Sequence, residues 1–571
     1  MASVTKKFIN DPVRAVDDAL NGLVNGSDQI TFDKSCHRVT LRADYADYCA
    51  KGMVSLIAGG GSGHEPYAAG YIGRGMLTAA VAGNVFASPP SQHVSAALES
   101  TTSKGGSILF IINYTGDRLN FGLAAERYKA KGHDVRVVTI ADDVAIDKTM
   151  STAGRRGLAA AVLVLKVAGA MAESGSSAEQ IETMSKRIND NAGTMGVSLY
   201  PCSVPGHGKM FDMPHDMMEV GLGIHGEPGC RRESVRGAHE VVTTIMTRLQ
   251  EVVKFTKGEE IVLLINNLGG VSQIEMGIIK SETIRWCRDN GIGVARILCG
   301  PFMTSLDGHG ISITTLRLFD NKILQYLDAS TLAPGWSSAV KIGKDETAPT
   351  TDKASTVSNQ AKVKGAPFSK EQSELAKKCI AAVCDKMKAS ETELNALDGA
   401  AGDGDCGSTF AHAAKAISEK IKKLEMDSAQ QLLSTLSEVF EQDVGGTGGA
   451  LYALMLSAAS ECFATSITSK DFGSAVVKAS ETVQRYGGAK PGDRTLVDAI
   501  HAAEEKIRSG ETNWDIILEA TTKAALSTAQ MKARAGRASY TAKEVQTRPD
   551  AGAVAISYFM HAIWDTIKHP L

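Results

Sequence analysis

The chain has no Cys-x-x-Cys pair: its ten cysteines are scattered over 571 residues, and the nearest two, Cys379 and Cys384, stand five positions apart. Without close pairing, neither a thiolate metal site nor a redox dithiol is expected, and the cysteines read as buried thiols in a reducing compartment. A long apolar run is missing too. The stretch Leu158 to Leu165 comes nearest to one and is cut off by Lys166, so no membrane span is expected. Met1 to Asp11 carries two lysines and no apolar core, so a secretory signal is not expected and a cytosolic (cytoplasmic) location is. Charge imbalance is small, at a net −3, which leaves no field to attract nucleic acid. Any phosphate must be held locally, by loops and metal. The pattern GxxxxGK[ST] is absent, which excludes a P-loop kinase. A usable GxSxG elbow is absent as well, because Gly60-Gly61-Ser62-Gly63-His64 has a histidine where the last glycine belongs.

What is present is a multidomain chain, too long for one core, with 43% hydrophobic and 22% charged residues as in soluble globular proteins. From about 54 to 335, short apolar runs alternate with glycine-rich turns and helical stretches. Val54–Ala58, Ile108–Ile112, Val135–Ile140 and Ile261–Ile265 read as buried strands, each followed by a polar loop. This alternation is the mark of an α/β sheet whose strand ends carry functional loops, here as two lobes with a break near 190–200. Residues 337–366, rich in Thr, Ser, Lys and Ala without apolar period, read as a flexible linker. After it, seven stretches from Glu371–Lys388 to Trp514–Ala529 show helical spacing, and strand-like runs are nearly absent. The fold expected is therefore a two-lobed α/β domain over 1–336 and an all-α domain over 367–571.

Chemistry concentrates in the loops. Leu397 to Gly407 holds Asp398, Asp403 and Asp405 among four glycines and is expected to form one tight loop. Three carboxylates forced together repel unless a cation neutralises them, and hard oxygen donors select Mg²⁺, Ca²⁺ or Mn²⁺ over zinc. The spacing is not that of an EF-hand. Gly445-Gly446-Thr447-Gly448-Gly449 precedes a helix, where free amides suit phosphate. The stretch 487–495 offers the Arg494 guanidinium and the Thr495 hydroxyl beside a constrained turn, and 548–553 forms a further turn before the last helix. In the α/β part, His64 ends a glycine-rich segment and His225 stands between glycines. Position alone suits each histidine equally to chemistry or to a structural hydrogen bond. Asp117, in the loop after a buried strand, suits equally a general base and a cap of the following helix.

Together GGGSGHEP (59–66), NYTGDRLNFG (113–122), GRRGLA (154–159), GLGIHGEPG (221–229), LDGAAGDGDCG (397–407), GGTGGALY (445–452), GGAKPGDRT (487–495) and ARAGRASY (533–540) resemble the ATP-dependent dihydroxyacetone kinase family, in order and over both domains. The single-chain arrangement is similar to that of its animal members. The resemblance implies that His225 adds to the carbonyl of dihydroxyacetone or glyceraldehyde as a hemiaminal. Asp117 would be the base for the terminal hydroxyl, His64 would assist the adduct or bind the substrate, and Gly59, Gly60, Gly61 and Ser62 would contact the substrate. It implies an eight-helix, barrel-like nucleotide domain. There Asp398, Asp403 and Asp405 would hold Mg²⁺, and ATP would lie against Asp403, Gly404, Asp405, Cys406, Gly446, Thr447, Gly448, Gly488, Arg494, Thr495, Asp550 and Gly552. A homodimer is implied, with the helical domain of one subunit facing the α/β domain of the other, a swap that a 30-residue linker reaching on the order of 100 Å permits. The animal members also split FAD into AMP and cyclic FMN with Mn²⁺ or Co²⁺, so an FAD-AMP lyase is a companion or an alternative. A non-catalytic dihydroxyacetone-binding or regulatory protein is a further alternative, and it predicts a missing aspartate cluster. Two positions depart from the family pattern: Ile112 stands where the animal members have lysine, and Gly448 where a small hydroxyl residue is usual.

Overall fold

The computed structural model describes residues 6–146, 154–227, 229–342, 365–421 and 427–569. The chain divides into two compact units, Met1–Pro349 and Thr350–Leu571. Most of the expected linker, 343–364, lies outside the described residues. Of its ends, Val340 bridges Ile297 and the Ala366 amide donates to the Phe463 carbonyl.

The first unit holds two six-stranded sheets. Strands β1 (Ile30–Phe32), β2 (Val39–Arg42), β3 (Ser55–Ser62), β4 (Ala79–Val85), β5 (Ser107–Ile112) and β6 (Val135–Ile140) lie in the order β1-β2-β4-β3-β5-β6. The pairs from β4 to β6 are parallel, whereas β1 and β2 are antiparallel. β5 is buried at every residue, as a central parallel strand covered on both faces must be. The second sheet begins at β7 (Ala192–Tyr200). After a small hairpin, β8 (Ser203–Val204) and β9 (Gly208–Lys209), it adds β10 (Met217–Val220), β11 (Arg231–Ser234), β12 (Glu260–Asn267), β13 (Gly293–Gly300) and β14 (His309–Arg317). Its order is β11-β10-β7-β14-β12-β13, with only β12 and β13 parallel.

Between the sheets lies helix Ala160–Glu173, buried at all but the last of its 14 residues. It contains most of the apolar run that stopped at Lys166, and that lysine is also buried, its Nζ donating to the Tyr326 carbonyl at 2.7 Å. The largest core joins this helix to Leu56 and Phe110 on one side and to Val262, Leu264 and Leu316 on the other. No described helix is long and apolar enough to cross a membrane.

Two sequence expectations change here. The strand expected to end at Ala58 continues through Gly59-Gly60-Gly61 to Ser62. A Cβ on Gly59 would stand 2.3 Å from the Val81 carbonyl oxygen, one on Gly61 2.7 Å from the Ala87 amide nitrogen, and Gly60 has φ +151°. Glycine is used here for close backbone approach rather than for turning. Gly59→Ala is expected to cost about 2 kcal/mol or more, seen as a lower urea midpoint at unchanged slope; a wild-type midpoint would mean that the sheet relaxes freely. Asp117, expected in a loop, lies in the first turn of helix Thr115–Ala130, where the helix dipole favours an anion.

The second unit is helical, with nine α-helices among its described residues: Lys370–Ala389, Glu391–Asp398, Cys406–Ile421, Ala429–Val439, Gly446–Ser460, Ser469–Gly487, Leu496–Arg508, Trp514–Ser527 and Ala551–Lys568. Phe410, Phe440, Tyr452 and Phe559 pack ring to ring at its centre. The single loop expected over 397–407 is shorter. Asp398 ends one helix and Cys406 begins the next, leaving 399–405 as the turn. The cause is local: Asp398 Oδ2 accepts the amides of Gly404, Asp405 and Cys406 at 3.0, 3.1 and 3.3 Å.

Candidate active site

In the first unit, three strand ends and the loop after β10 bring two imidazoles and a carboxyl together. The rings of His64 and His225 meet edge to face at 4.9 Å, and Phe86 packs on both, at 5.2 and 5.3 Å. Tyr114 closes a further side of His225 at 4.5 Å. Phe86 adopts a left-handed φ of +56°, which a bulky residue keeps only when its surroundings demand it.

The nitrogen partners assign each ring its job. His64 Nδ1 lies 2.9 Å from the Thr304 carbonyl, which can only accept, so the proton sits on Nδ1. Its Nε2 is buried and has no partner, leaving a lone pair exposed to whatever enters. Burial, and then the neighbouring His225, push the His64 pKa down to about 3, so this ring stays neutral. His225 Nδ1 lies 3.1 Å from Glu227 Oε1, and its backbone amide donates to Oε2 at 3.0 Å. With Nδ1 held by a carboxylate, Nε2 is the nitrogen free to react. Asp117 is 3% exposed, and its Oδ1 has no hydrogen-bond partner. Burial raises its pKa, while the Ser88 hydroxyl and His225 pull it partly back. A Cβ on Gly60 would stand 3.7 Å from Asp117 Oδ1 and 3.8 Å from the Ile112 side chain, so the glycine leaves space beside that carboxyl. Ser62 Oγ is committed to the Gly83 carbonyl. A cavity of about 400 Å³ runs along Gly60, Gly61 and Ser62, but neither histidine nor Asp117 walls it.

In the second unit, one oxygen from each of Asp398, Asp403 and Asp405 falls within 4.8 Å of the others. Three carboxylates at that spacing, one tied to backbone amides and two exposed, suit a hard divalent ion. Asp403 pairs with Arg537 of the ARAGRASY stretch. Cys406 lies beside them with its thiol pushed up to about 12 by burial and by Asp398, Asp550 and Asp405, so it stays protonated. Asp550 caps the last helix by accepting the Ala553 amide at 2.9 Å; burial raises its pKa to about 6 against the pull of that bond and of Arg494. Gly552 lies one residue into the same helix.

Other expected ligands are placed differently. The Arg494 guanidinium is 2% exposed and donates to the Arg548 carbonyl at 2.8 Å, and the Thr495 hydroxyl caps helix Leu496–Arg508 in a capping box with Asp498. Both side chains brace the turn. Gly446, Thr447 and Gly448 form the exposed first turn of helix Gly446–Ser460, with open space where side chains would stand on the two glycines. Gly488, in left-handed conformation, ends helix Ser469–Gly487, with open space where a side chain would stand. Glu227, Phe86, Thr304 and Arg537 were not among the sequence candidates. The signal for Glu227 was available, since both histidines are followed within three residues by Glu-Pro.

Residues 21–335 match the family model described as the Dak1 domain, and residues 400–565 that described as the DAK2 domain. Triokinase/FMN cyclase of Mus musculus is 40% identical over 584 residues, spanning 99% of each chain. Dihydroxyacetone kinase 2 of Saccharomyces cerevisiae is 34% identical over 582 residues, spanning 97% of this chain and 98% of the yeast protein. The crystal structure of the dihydroxyacetone kinase from C. freundii in complex with AMP-PNP and Mg²⁺ matches with a TM-score of 0.63 at 30% identity, over 99% of this chain and 100% of that one. With both family models matched in order, and relatives aligned from end to end, this chain belongs to the dihydroxyacetone kinase family in its single-chain form.

Proposed function

We propose that the protein is an ATP-dependent kinase of short carbonyl sugars, dihydroxyacetone and glyceraldehyde, with residues 1–336 as the substrate domain and 367–571 as the nucleotide domain. The observation that carries this reading is the imidazole of His225, tethered through Nδ1 to Glu227 and free at Nε2, beside the unpartnered oxygen of Asp117. The Nε2 lone pair adds to the carbonyl carbon, and the π pair moves to oxygen. The neutral hemiaminal results when that oxygen gains a proton and Nδ1 gives up the one it holds against Glu227. His64, with a lone pair at Nε2, accepts a hydrogen bond from the new hydroxyl. Glycerol has no carbonyl and cannot be held this way, which gives selection by chemistry. Asp117 takes the proton of the terminal hydroxyl as that oxygen attacks the γ-phosphorus, and the bond from that phosphorus to the bridging oxygen breaks to release ADP.

In the helical unit, Asp398, Asp403 and Asp405 would hold Mg²⁺, which when bound neutralises phosphate charge. Amides of Gly446, Thr447 and Gly448 at a helix N-terminus supply neutral contacts to ATP, which lies against Gly404, Asp405, Cys406, Asp550 and Gly552, while the amides of the first three hold the metal-binding carboxylate of Asp398 in place. The name FMN cyclase carried by full-length relatives favours a second reaction on the same loops, cleavage of FAD to AMP and cyclic FMN with Mn²⁺ or Co²⁺. A homodimer and a cytosolic location complete the reading; the ten free cysteines suit a reducing compartment.

The test is product analysis of purified protein given ATP, Mg²⁺ and dihydroxyacetone, with a parallel reaction of FAD and Mn²⁺. Dihydroxyacetone phosphate in the first establishes the kinase, and cyclic FMN in the second the lyase. Neither product from folded, metal-loaded protein overturns the enzymatic reading in favour of a binding protein.

A further inference from the structure

Besides His64 Nε2 and Asp117 Oδ1, a third buried polar atom in this part of the first unit has no hydrogen-bond partner: the hydroxyl oxygen of Tyr67. The first two have roles above; the third has none. Tyr67 follows His64 by three residues, and its amide donates to the His64 carbonyl at 3.1 Å. Its ring walls the cavity of about 400 Å³ together with Gly60, yet its oxygen is shut off from solvent and the residue is 3% exposed. Gly60 is also the glycine whose open Cβ position borders Asp117 Oδ1, at 3.7 Å. Burial, and then the Asp117 carboxylate, raise the Tyr67 phenol far above its ordinary range, so it keeps its proton and can only act as a neutral donor or acceptor. Tyr71, four residues on and fully buried, shows the usual arrangement: its hydroxyl donates to the Phe302 carbonyl at 2.6 Å.

We propose that Tyr67 is a further substrate-contacting residue: its phenol donates a hydrogen bond to the terminal hydroxyl oxygen that Asp117 deprotonates. This rests on the kinase reading, with Asp117 as the base. His64 Nε2 and Asp117 Oδ1 are acceptors, Ile112 is apolar, and the Ser62 hydrogen is spent on the Gly83 carbonyl, so none of these four offers that oxygen a donor. The phenol does. A hydroxyl oxygen can give its own proton to Asp117, accept from Tyr67 with one lone pair and attack the γ-phosphorus with the other. As the proton leaves, negative charge gathers on that oxygen and the bond from Tyr67 becomes charge-assisted. It is then stronger in the transition state than in the ground state, which is the condition for it to speed the reaction. In the empty protein the same hydroxyl is a burden, because a buried donor without a partner destabilises the fold.

Tyr67→Phe removes one oxygen and keeps the ring, and it separates the two effects. The empty variant should melt at or above the wild-type temperature, because the unpartnered hydroxyl is gone. Its kcat/KM for dihydroxyacetone should nevertheless fall about tenfold, with most of the loss in kcat. A more stable protein that is a slower kinase supports the inference. A ring that serves packing alone gives another pattern, a lower melting temperature with kcat intact, and that result overturns it. Unchanged kinetic constants overturn it too. So does a loss confined to KM, since a contact no stronger in the transition state does not lie on the attacking oxygen. Should Tyr67→Phe not fold, Tyr67→Leu decides by the same division between kcat and KM. The wild-type enzyme, run alongside, keeps the two questions apart: if it makes no dihydroxyacetone phosphate, it is the kinase reading that has failed.

Discussion

Replacing His225 by alanine is expected to reduce phosphorylation of dihydroxyacetone by on the order of 10³-fold or more in kcat/KM. Neither neighbour can substitute for it. His64 is fully buried with Phe86 stacked on its ring, and its Nδ1 faces the Thr304 carbonyl, which cannot take up the proton an adduct must lose as Glu227 does for His225. The truncation removes a partly buried ring held by contacts with Tyr114 and Phe86, so a modest loss of stability is expected as well, and thermal melting must accompany the kinetics. What separates loss of an adduct from loss of fold is the second reaction: FAD cleavage, proposed above for the loops of the helical unit, should be unchanged. Full kinase activity in the variant would remove the covalent step from the mechanism.

Asp405→Asn should show the complementary pattern. The substitution preserves shape and removes one of three converging charges. It is preferable to changing Asp398, whose Oδ2 organises the turn through three amides, or Asp403, which is paired with Arg537. Loss of a metal ligand forfeits several kcal/mol of charge stabilisation, so both phosphorylation and FAD cleavage should fall by about 10²–10³-fold. The rise in melting temperature produced by Mg²⁺ should fall with them. Dihydroxyacetone binding, measured by calorimetry without nucleotide, should be unaffected. A variant that keeps its Mg²⁺ shift and both activities would take Asp405 out of the metal site.

The elements that could be read directly were those in which composition and environment agree. β5 is an apolar run buried at every residue, β6 an edge strand rich in valine and isoleucine, and the limits of both follow within a residue. The first turns of helices Cys406–Ile421 and Gly446–Ser460 are hidden in the sequence, because glycine and small polar residues there look like loop. The glycine strand was misread for the same reason: glycine serves turning and close approach alike, and only the neighbouring Val81 and Ala87 backbones show which. Among site residues, His64, Asp117, His225 and the three aspartates stand in distinctive glycine-rich stretches. Phe86 and Thr304 do not, and they meet His64 only once separate strand ends converge. Arg494 shows the opposite limit, since a motif names a residue without saying which way its side chain points.

The helix wedged between the two sheets bears on how the first unit comes apart. Ala160–Glu173 is buried on every side, and part of its cover comes from β7, β14 and helix Lys322–Asp328, all after residue 190. Cut there, the earlier piece would expose that helix to water, and the later one would lose the partner for β12 and β14. The lobes are thus topologically successive but thermodynamically one, melting together rather than in turn. Damage anywhere along that buried cylinder reaches both halves of the imidazole site, since His64 rides on the first sheet and His225 follows a strand of the second.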